Sequence, residues 1–200
     1  VDGSTFTLAG NMASDVRSEG REGTVAGFAA FGKGVGQANA NAIQVLGSMR
    51  AASLQLLGNT AGRVHATEGL AAANSFSQGA GGRVDALQAL IAGNTAGSTQ
   101  ADGGSTALAN SVQVDGTVQG SSVQVAGNQG TAQASGRDGL ANSVRAQSRG
   151  RIAASSVTVT ANQGSAQQGV ANSVDVGGSL QGGSITILGN QASAQGGNSK

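Results

Sequence analysis

The sequence repeats itself, and nothing else about it restricts its fold as much. Residues 108–139 read LANSVQVDGTVQGSSVQVAGNQGTAQASGRDG, residues 140–169 read LANSVRAQSRGRIAASSVTVTANQGSAQQG, and residues 170–200 read VANSVDVGGSLQGGSITILGNQASAQGGNSK. Each contains Ala-Asn-Ser-Val, an alternating stretch, Ser-Val/Ile-x-Val/Ile, Asn-Gln and an Ala/Gln tail. The pattern continues upstream with decay, through AAANSFSQ and VDALQALIAGNT in 71–106 and ANANAIQV and SLQLLGNT in 38–69. Units of this size cannot bury a core alone, whereas stacked on one another they bury a continuous one.

Two asparagines anchor each unit. The first recurs at Asn39, Asn74, Asn110, Asn142 and Asn172, and the second at Asn59, Asn94, Asn128, Asn162 and Asn190. The second is followed by Gln129, Gln163 and Gln191 in the three best repeats. Phe6-Thr7-Leu8-Ala9-Gly10-Asn11 matches the second half of a unit. The chain therefore divides into a partial repeat at 1–11, a poorly matching stretch at 12–37, and five repeats of 28–36 residues over 38–200. The middle stretch holds Asp15, Arg17, Glu19, Arg21 and Glu22, then Phe28 and Phe31, and reads as a charged insertion or as a cap on the first rung.

Within a repeat the apolar period is two. Val123 and Val125, Val157 and Val159, and Ile185 and Ile187 alternate with polar neighbours. Alternation with β-branched residues predicts half-buried strands. Gly177-Gly178 and Gly182-Gly183 punctuate them as turns. DALQALIAG at 85–93 could read as a helix, but it aligns with strand positions in later repeats. The prediction is an all-β protein, a β-solenoid or stacked β-arcade with one rung per repeat. Equivalent residues then lie about 4.8 Å apart in cross-β-like ladders. Val123, Val125, Val157, Val159, Ile185 and Ile187 would form the core ladder. The Asn and Gln anchors would form amide ladders, or the Asn residues would make bends before strands, since asparagine tolerates the left-handed region. Both readings stay open from sequence.

Composition supports stacking. Glycine is 35 of 200 residues, charged residues are 10%, and there is no Pro, Cys, Trp or Tyr. An average soluble protein has about 25% charged residues and about 5% Pro. Four Phe and no other aromatic leave few of the large side chains that dominate a globular core. Without Pro, every main-chain N–H is free to join a ladder. Without Cys, stability cannot come from disulfides, nor a metal site from thiolates. A formal charge of +1, with Arg145, Arg149 and Arg151 the densest basic group and no aromatic between them, gives no platform for nucleic acid. No apolar run approaches the roughly 20 residues of a membrane span, so no transmembrane segment is expected.

These repeats resemble those of the bacterial functional amyloids. The Fap fibre subunits pair a segment like Ala-Leu-Ala-(Asn/Asp)-Ser with a downstream Val-x-Val-Ala-Gly-x-x-Asn-Gln. Here Ala107-Leu108-Ala109-Asn110-Ser111 is followed by Val123-Gln124-Val125-Ala126-Gly127-Asn128-Gln129, and the pair recurs at 140–143 and 157–163. Curli subunits are similar more loosely, through stacked Asn, Gln and Ser. Fap subunits also carry long linkers and a Cys pair, which this chain lacks. The resemblance implies a secreted, β-stacked subunit of an extracellular fibre in a biofilm matrix or at a cell surface. Its partner would be itself, with a nucleator or an outer-membrane secretion or anchor protein. The last repeat runs to Lys200 with no obvious cap, which predicts head-to-tail addition of further subunits. The alternative is a surface β-solenoid adhesin or binding module.

Nothing in the sequence predicts an enzyme or a cofactor. His65 is the single histidine, and no nucleophile elbow accompanies it to make a triad. Asp115, Asp138 and Asp175 lie near glycine, but the nonapeptide spacing of calcium-binding rolls is not repeated. A Thr-x-Thr array of the ice-binding kind is confined to Thr158-Val159-Thr160.

Overall fold

The computed structural model describes residues 2–18, 29–30, 38–45, 47–67, 70–102, 106–134, 139–167 and 169–195. Every regular element in them is a β-strand, and the strands stack in parallel as a β-solenoid. The chain opens with β1 (Asp2–Ala9), β2 (Met12–Ser18) and the short β3 (Ala29–Ala30). The first full coil is β4 (Ala38–Ala40), β5 (Ala42–Val45), β6 (Ser48–Leu57) and β7 (Thr60–Ala66). The second is β8 (Leu70–Ala73), β9 (Phe76–Gln78), β10 (Arg83–Ala92) and β11 (Thr95–Ala101). The third is β12 (Thr106–Ala109), β13 (Val112–Val114), β14 (Thr117–Ala126) and β15 (Gln129–Ala134). The fourth is β16 (Gly139–Ala141), β17 (Val144–Ala146), β18 (Arg151–Thr160) and β19 (Gln163–Gln167). The fifth is β20 (Gly169–Ala171), β21 (Val174–Val176), β22 (Ser179–Gln181) with β23 (Ser184–Leu188), and β24 (Gln191–Gln195).

Four parallel sheets result, one from each side of the coil. The first runs β4-β8-β12-β16-β20 and the second β3-β5-β9-β13-β17-β21. The third holds the long strands, β1-β6-β10-β14-β18 followed by β22 and β23, and the fourth runs β2-β7-β11-β15-β19-β24. Residues 85–92 of DALQALIAG lie within β10, a strand paired in parallel with β6 and β14, and Gly93 makes the corner that follows. Met12–Ser18 belongs to the stack as well, with Val16 opposite Val64 and Ser18 opposite Ala66. The insertion expected from residue 12 therefore does not start there. Of its remainder only Ala29–Ala30 is described, and Phe28, Phe31, Glu19, Arg21 and Glu22 lie outside the described residues.

Two cores fill the coil. Val, Leu, Ile, Met49 and Phe76 from the second and third sheets make the larger one. The first and fourth sheets meet through alanine with Val16 and Val64. Small side chains let those layers approach closely, which explains the scarcity of aromatics. Leu108 and Leu140, both fully buried, form a third, smaller cluster with Ala42 and Ala72.

Corners are built from the left-handed region. Asn41, Asn74, Asn110, Asn142 and Asn172 have φ of 47–53° and turn the chain from the first sheet into the second. Gly10, Gly58, Gly93, Gly127 and Gly189 turn it from the third into the fourth, with φ of 59–66°. The fourth coil places Ala161 at this corner, with φ of 53°. A Cβ there costs about 1–2 kcal/mol, partly offset by the greater unfolded-state entropy of glycine. Ala161→Gly should therefore stabilise the protein by roughly 0.5–1 kcal/mol, read as a higher urea midpoint at unchanged slope.

Candidate functional site: asparagine ladders and the last coil

At the second asparagine position, Asn11, Asn59, Asn94, Asn128, Asn162 and Asn190 stand in one column. Each Nδ2 donates to the Oδ1 of the next coil at 3.0 Å. Each main-chain N–H donates to that same Oδ1 at 2.8–3.0 Å. The remaining Nδ2 hydrogen goes to a carbonyl one coil below: Leu8 for Asn59, Leu56 for Asn94, Ile91 for Asn128, Val125 for Asn162 and Val159 for Asn190. Asn59, Asn94, Asn128 and Asn162 are almost wholly buried, yet every amide group has a partner.

The first-position column is Asn41, Asn74, Asn110, Asn142 and Asn172, again Nδ2 to Oδ1 at 3.0 Å. Its other Nδ2 hydrogen crosses the same coil to the carbonyls of Thr60, Thr95, Gln129, Gln163 and Gln191, closing each coil on itself. Bend and ladder, left as alternatives by the sequence, are both real and are performed by the same residue. The rung in the first coil is Asn41 and not Asn39. Ala40 pairs with Ala73, so the residue after it takes the corner, while Asn39 stands opposite Ala72. Ala-Asn-Ala-Asn-Ala offers both registers, and main-chain pairing selects Asn41 where the repeat pattern pointed to Asn39.

Gln129, Gln163 and Gln191 are stacked in register but exposed, and they serve the ladder through their main-chain carbonyls. Val123, Val125, Val157 and Val159 are buried to 0–1%. Ile185 and Ile187 are not: they continue the same register but are 57% and 52% exposed, since among the described residues β23 pairs only with β18. Val176 and Leu188 of the same coil are 44% and 68% exposed.

Two columns escaped the sequence reading. Ser111, Ser143 and Ser173 each donate a main-chain N–H to the serine Oγ one coil below, at 3.0–3.1 Å. Gly47, Gly82, Gly116, Gly150 and Gly178 stack at the corner entering the third sheet. A Cβ on Gly82 would lie 2.9 Å from the Gly47 carbonyl oxygen, and one on Gly116 would strike that of Gly82. Their spacings of 35, 34, 34 and 28 are those of the second asparagine, and that periodicity was the signal available.

The charged candidates are tied between coils. Arg145 meets Asp175 at 2.8 Å, Arg149 meets Asp115 at 3.0 Å, and Arg151 reaches Gln181. Asp138 lies outside the described residues. Among the described residues no cluster of His, Cys, Asp or Glu could hold a metal ion, and no helix is long and apolar enough to cross a membrane. His65 Nε2 lies 2.8 Å from Asp102 Oδ2. Hydrogen bonds from His65 and then Gln100 hold the Asp102 carboxyl below its usual range. A shallow, uncharged groove of about 550 Å³ crosses four coils of the fourth sheet, lined by Thr95, Gln129, Thr131, Gln163, Ser165 and Ser193 among others.

No known protein family, curated protein or solved structure matches the chain.

Asn128→Leu should cost about 3 kcal/mol or more, since it strands the main-chain N–H and one Nδ2 hydrogen of Asn94 and removes one donor each from Asn162 Oδ1 and the Ile91 carbonyl in the core. Gln129→Ala, at an exposed side chain, should stay within about 0.5 kcal/mol. Chemical denaturation of both variants checks the contrast. The lowered Asp102 pKa gives a contribution present above the usual carboxylate range and lost as pH falls below it. The stability gap between the parent chain and Asp102→Asn should therefore close on acidification, and a constant gap down to pH ~2 would contradict the pairing.

Proposed function

We propose that this chain is a structural subunit of an extracellular bacterial fibre, functional-amyloid-like, serving a biofilm matrix or surface attachment and assembling by stacking of its β-coils. The observation that carries the reading is the in-register parallel stack, in which an interior asparagine such as Asn94 draws its hydrogen-bond partners from the coils on both sides. This is the cross-β arrangement by which equivalent segments add along a fibre axis. The repeat resemblance to Fap and curli subunits supports the setting, as does a stabilising principle that needs no disulfide. Secretion, and partnership with a nucleator or an outer-membrane anchor, belong to the same proposal.

A second reading, a cell-surface adhesin or binding module, draws on the uncharged groove of the fourth sheet, whose Gln, Thr and Ser side chains could hydrogen-bond a neutral ligand.

Negative-stain microscopy and fibre diffraction of the purified chain separate the two. Filaments with a meridional reflection near 4.7–4.8 Å are expected. Monomers alone at high concentration, binding cells or glycans, would replace the fibre reading with the adhesin.

A further inference from the structure

We infer that, given the fibre reading above, stacked chains also pair side by side, through the uncharged outer face of the fourth sheet from β15 to β24, which takes the same face of a second stack as a polar zipper.

The Ala/Gln tail of each repeat builds this face. Its alanines Ala132 and Ala166 are buried in the core, so the residues that alternate with them point outward. Gln129, Gln163 and Gln191 stack as one column, Thr131, Ser165 and Ser193 as the next, and Gln133 and Gln167 as a third. Ser165 Oγ donates to Thr131 Oγ1 at 3.3 Å. The asparagine columns use their amides within the chain. Among the described residues, the side-chain amides of Gln129, Gln133, Gln163 and Gln167 make no hydrogen bond, which leaves their donors and acceptors open to a partner.

The face has a boundary. Ala96 pairs with Gly130 and Thr99 with Ala132, so β11 carries one residue more than β15 and the sheet bulges there. On the near side of that bulge lie Arg63, which is exposed, and His65 bonded to Asp102. On the far side, none of β15, β19 and β24 contains a charged residue.

Its relief fits its own copy. The short Thr/Ser column runs between two columns of long glutamines, which leaves a furrow on each side. One is the groove of about 550 Å³ between the Gln129 and Thr131 columns, lined also by Gly130 and Gly164. The other, of about 190 Å³, lies between the Thr131 and Gln133 columns. Columns two residues apart along a strand stand about 6.6 Å from each other, the relief into which side chains of a facing sheet interdigitate in a steric zipper. A primary amide both donates and accepts. A glutamine column therefore meets a second glutamine column, or a hydroxyl column, with partners on both sides and no need of opposite charge. Size adds a condition. Three strands about 4.8 Å apart, crossed from the Gln129 to the Gln133 column, give roughly 200 Å² per chain. A stable interface takes about 800 Å² per partner. Single chains fall short of this and a stack of about four reaches it, so side-by-side pairing follows stacking.

Electron microscopy of assembled filaments, with circular dichroism as the check on folding, decides the matter. Parent filaments should lie in lateral bundles. Ser165→Lys sets one long charged side chain in the middle of the face, with Thr131 and Ser193 in the coils on either side of it, so that no two introduced lysines are stacked. It should keep the circular dichroism and the meridional spacing of the parent and lose the bundles, leaving single filaments. Ser165→Thr, which repeats the residue at this position in the third coil, should bundle like the parent. So should Ser155→Lys, the same charge on an exposed residue of β18. Bundles of Ser165→Lys, or their equal loss in Ser155→Lys, would overturn the face. Parent filaments that stay single would overturn the pairing and leave stacking standing. If those single filaments retained a soluble neutral glucan and Ser165→Lys did not, the face would belong to a glycan and not to a second copy. A parent chain that forms no filament would sink the fibre reading and the pairing together.

Discussion

Burying an amide side chain is tolerable only when all its hydrogen-bonding groups are satisfied, and this chain buries one at two corners of nearly every coil. An amide deprived of partners costs about 1–3 kcal/mol. The partners of Asn94 are the Oδ1 of Asn128, the Leu56 carbonyl and the donors of Asn59, all in neighbouring coils. No single repeat can provide them. The asparagines therefore penalise any coil that is alone or out of register. A slip of one residue would also send every inward valine to the outer face. Apolar burial drives stacking, and the amide columns dictate its register.

Much else follows from holding equivalent residues one strand spacing apart. Corners must be left-handed at the same place in each coil, which asparagine does at one corner and glycine at the next. The corner into the third sheet brings main chains together so closely that a Cβ on Gly82, Gly116, Gly150 or Gly178 has no room, although one on Gly47 meets nothing. The interior is thin where the first and fourth sheets meet, so alanine fills it. The wider space between the second and third sheets takes Val, Ile, Leu, Met49 and Phe76, with Phe6 packed against them. Low charge fits the same geometry, because identical charges stacked at this spacing would repel. Between the fourth and fifth coils, Arg145 meets Asp175 of opposite sign and Arg151 meets the amide of Gln181.

The solenoid was legible in the sequence because stacking makes period and pairing one fact: Asn59, Asn94, Asn128, Asn162 and Asn190 are equally placed in the chain and adjacent in space. Legibility stops where the period is ambiguous or where burial depends on the neighbouring coil. Ala38-Asn39-Ala40-Asn41-Ala42 satisfies the motif twice, and only main-chain pairing selects Asn41. Ile185 and Ile187 have core sequence and core register, but their exposure depends on what packs on β23, which a local pattern does not contain. Met12–Ser18 resembled an insertion because Asp15 and Arg17 broke the composition. Strand pairing in the fourth sheet nevertheless needs only main chain and a few inward residues such as Val16. The serine and glycine columns were hidden by their commonness; small residues are frequent throughout, and only their constant spacing marks them.

In a stack of this kind each coil is stabilised by its neighbours, so stability is set by interfaces between coils and not by the coils themselves. An interior coil has two such interfaces and a terminal coil has one. The amide column makes those interfaces specific. Asn94 gives its main-chain N–H and one Nδ2 hydrogen to the coil on one side, and on the other side it gives its second Nδ2 hydrogen and accepts at Oδ1, so a coil is satisfied only between neighbours that carry the same pattern.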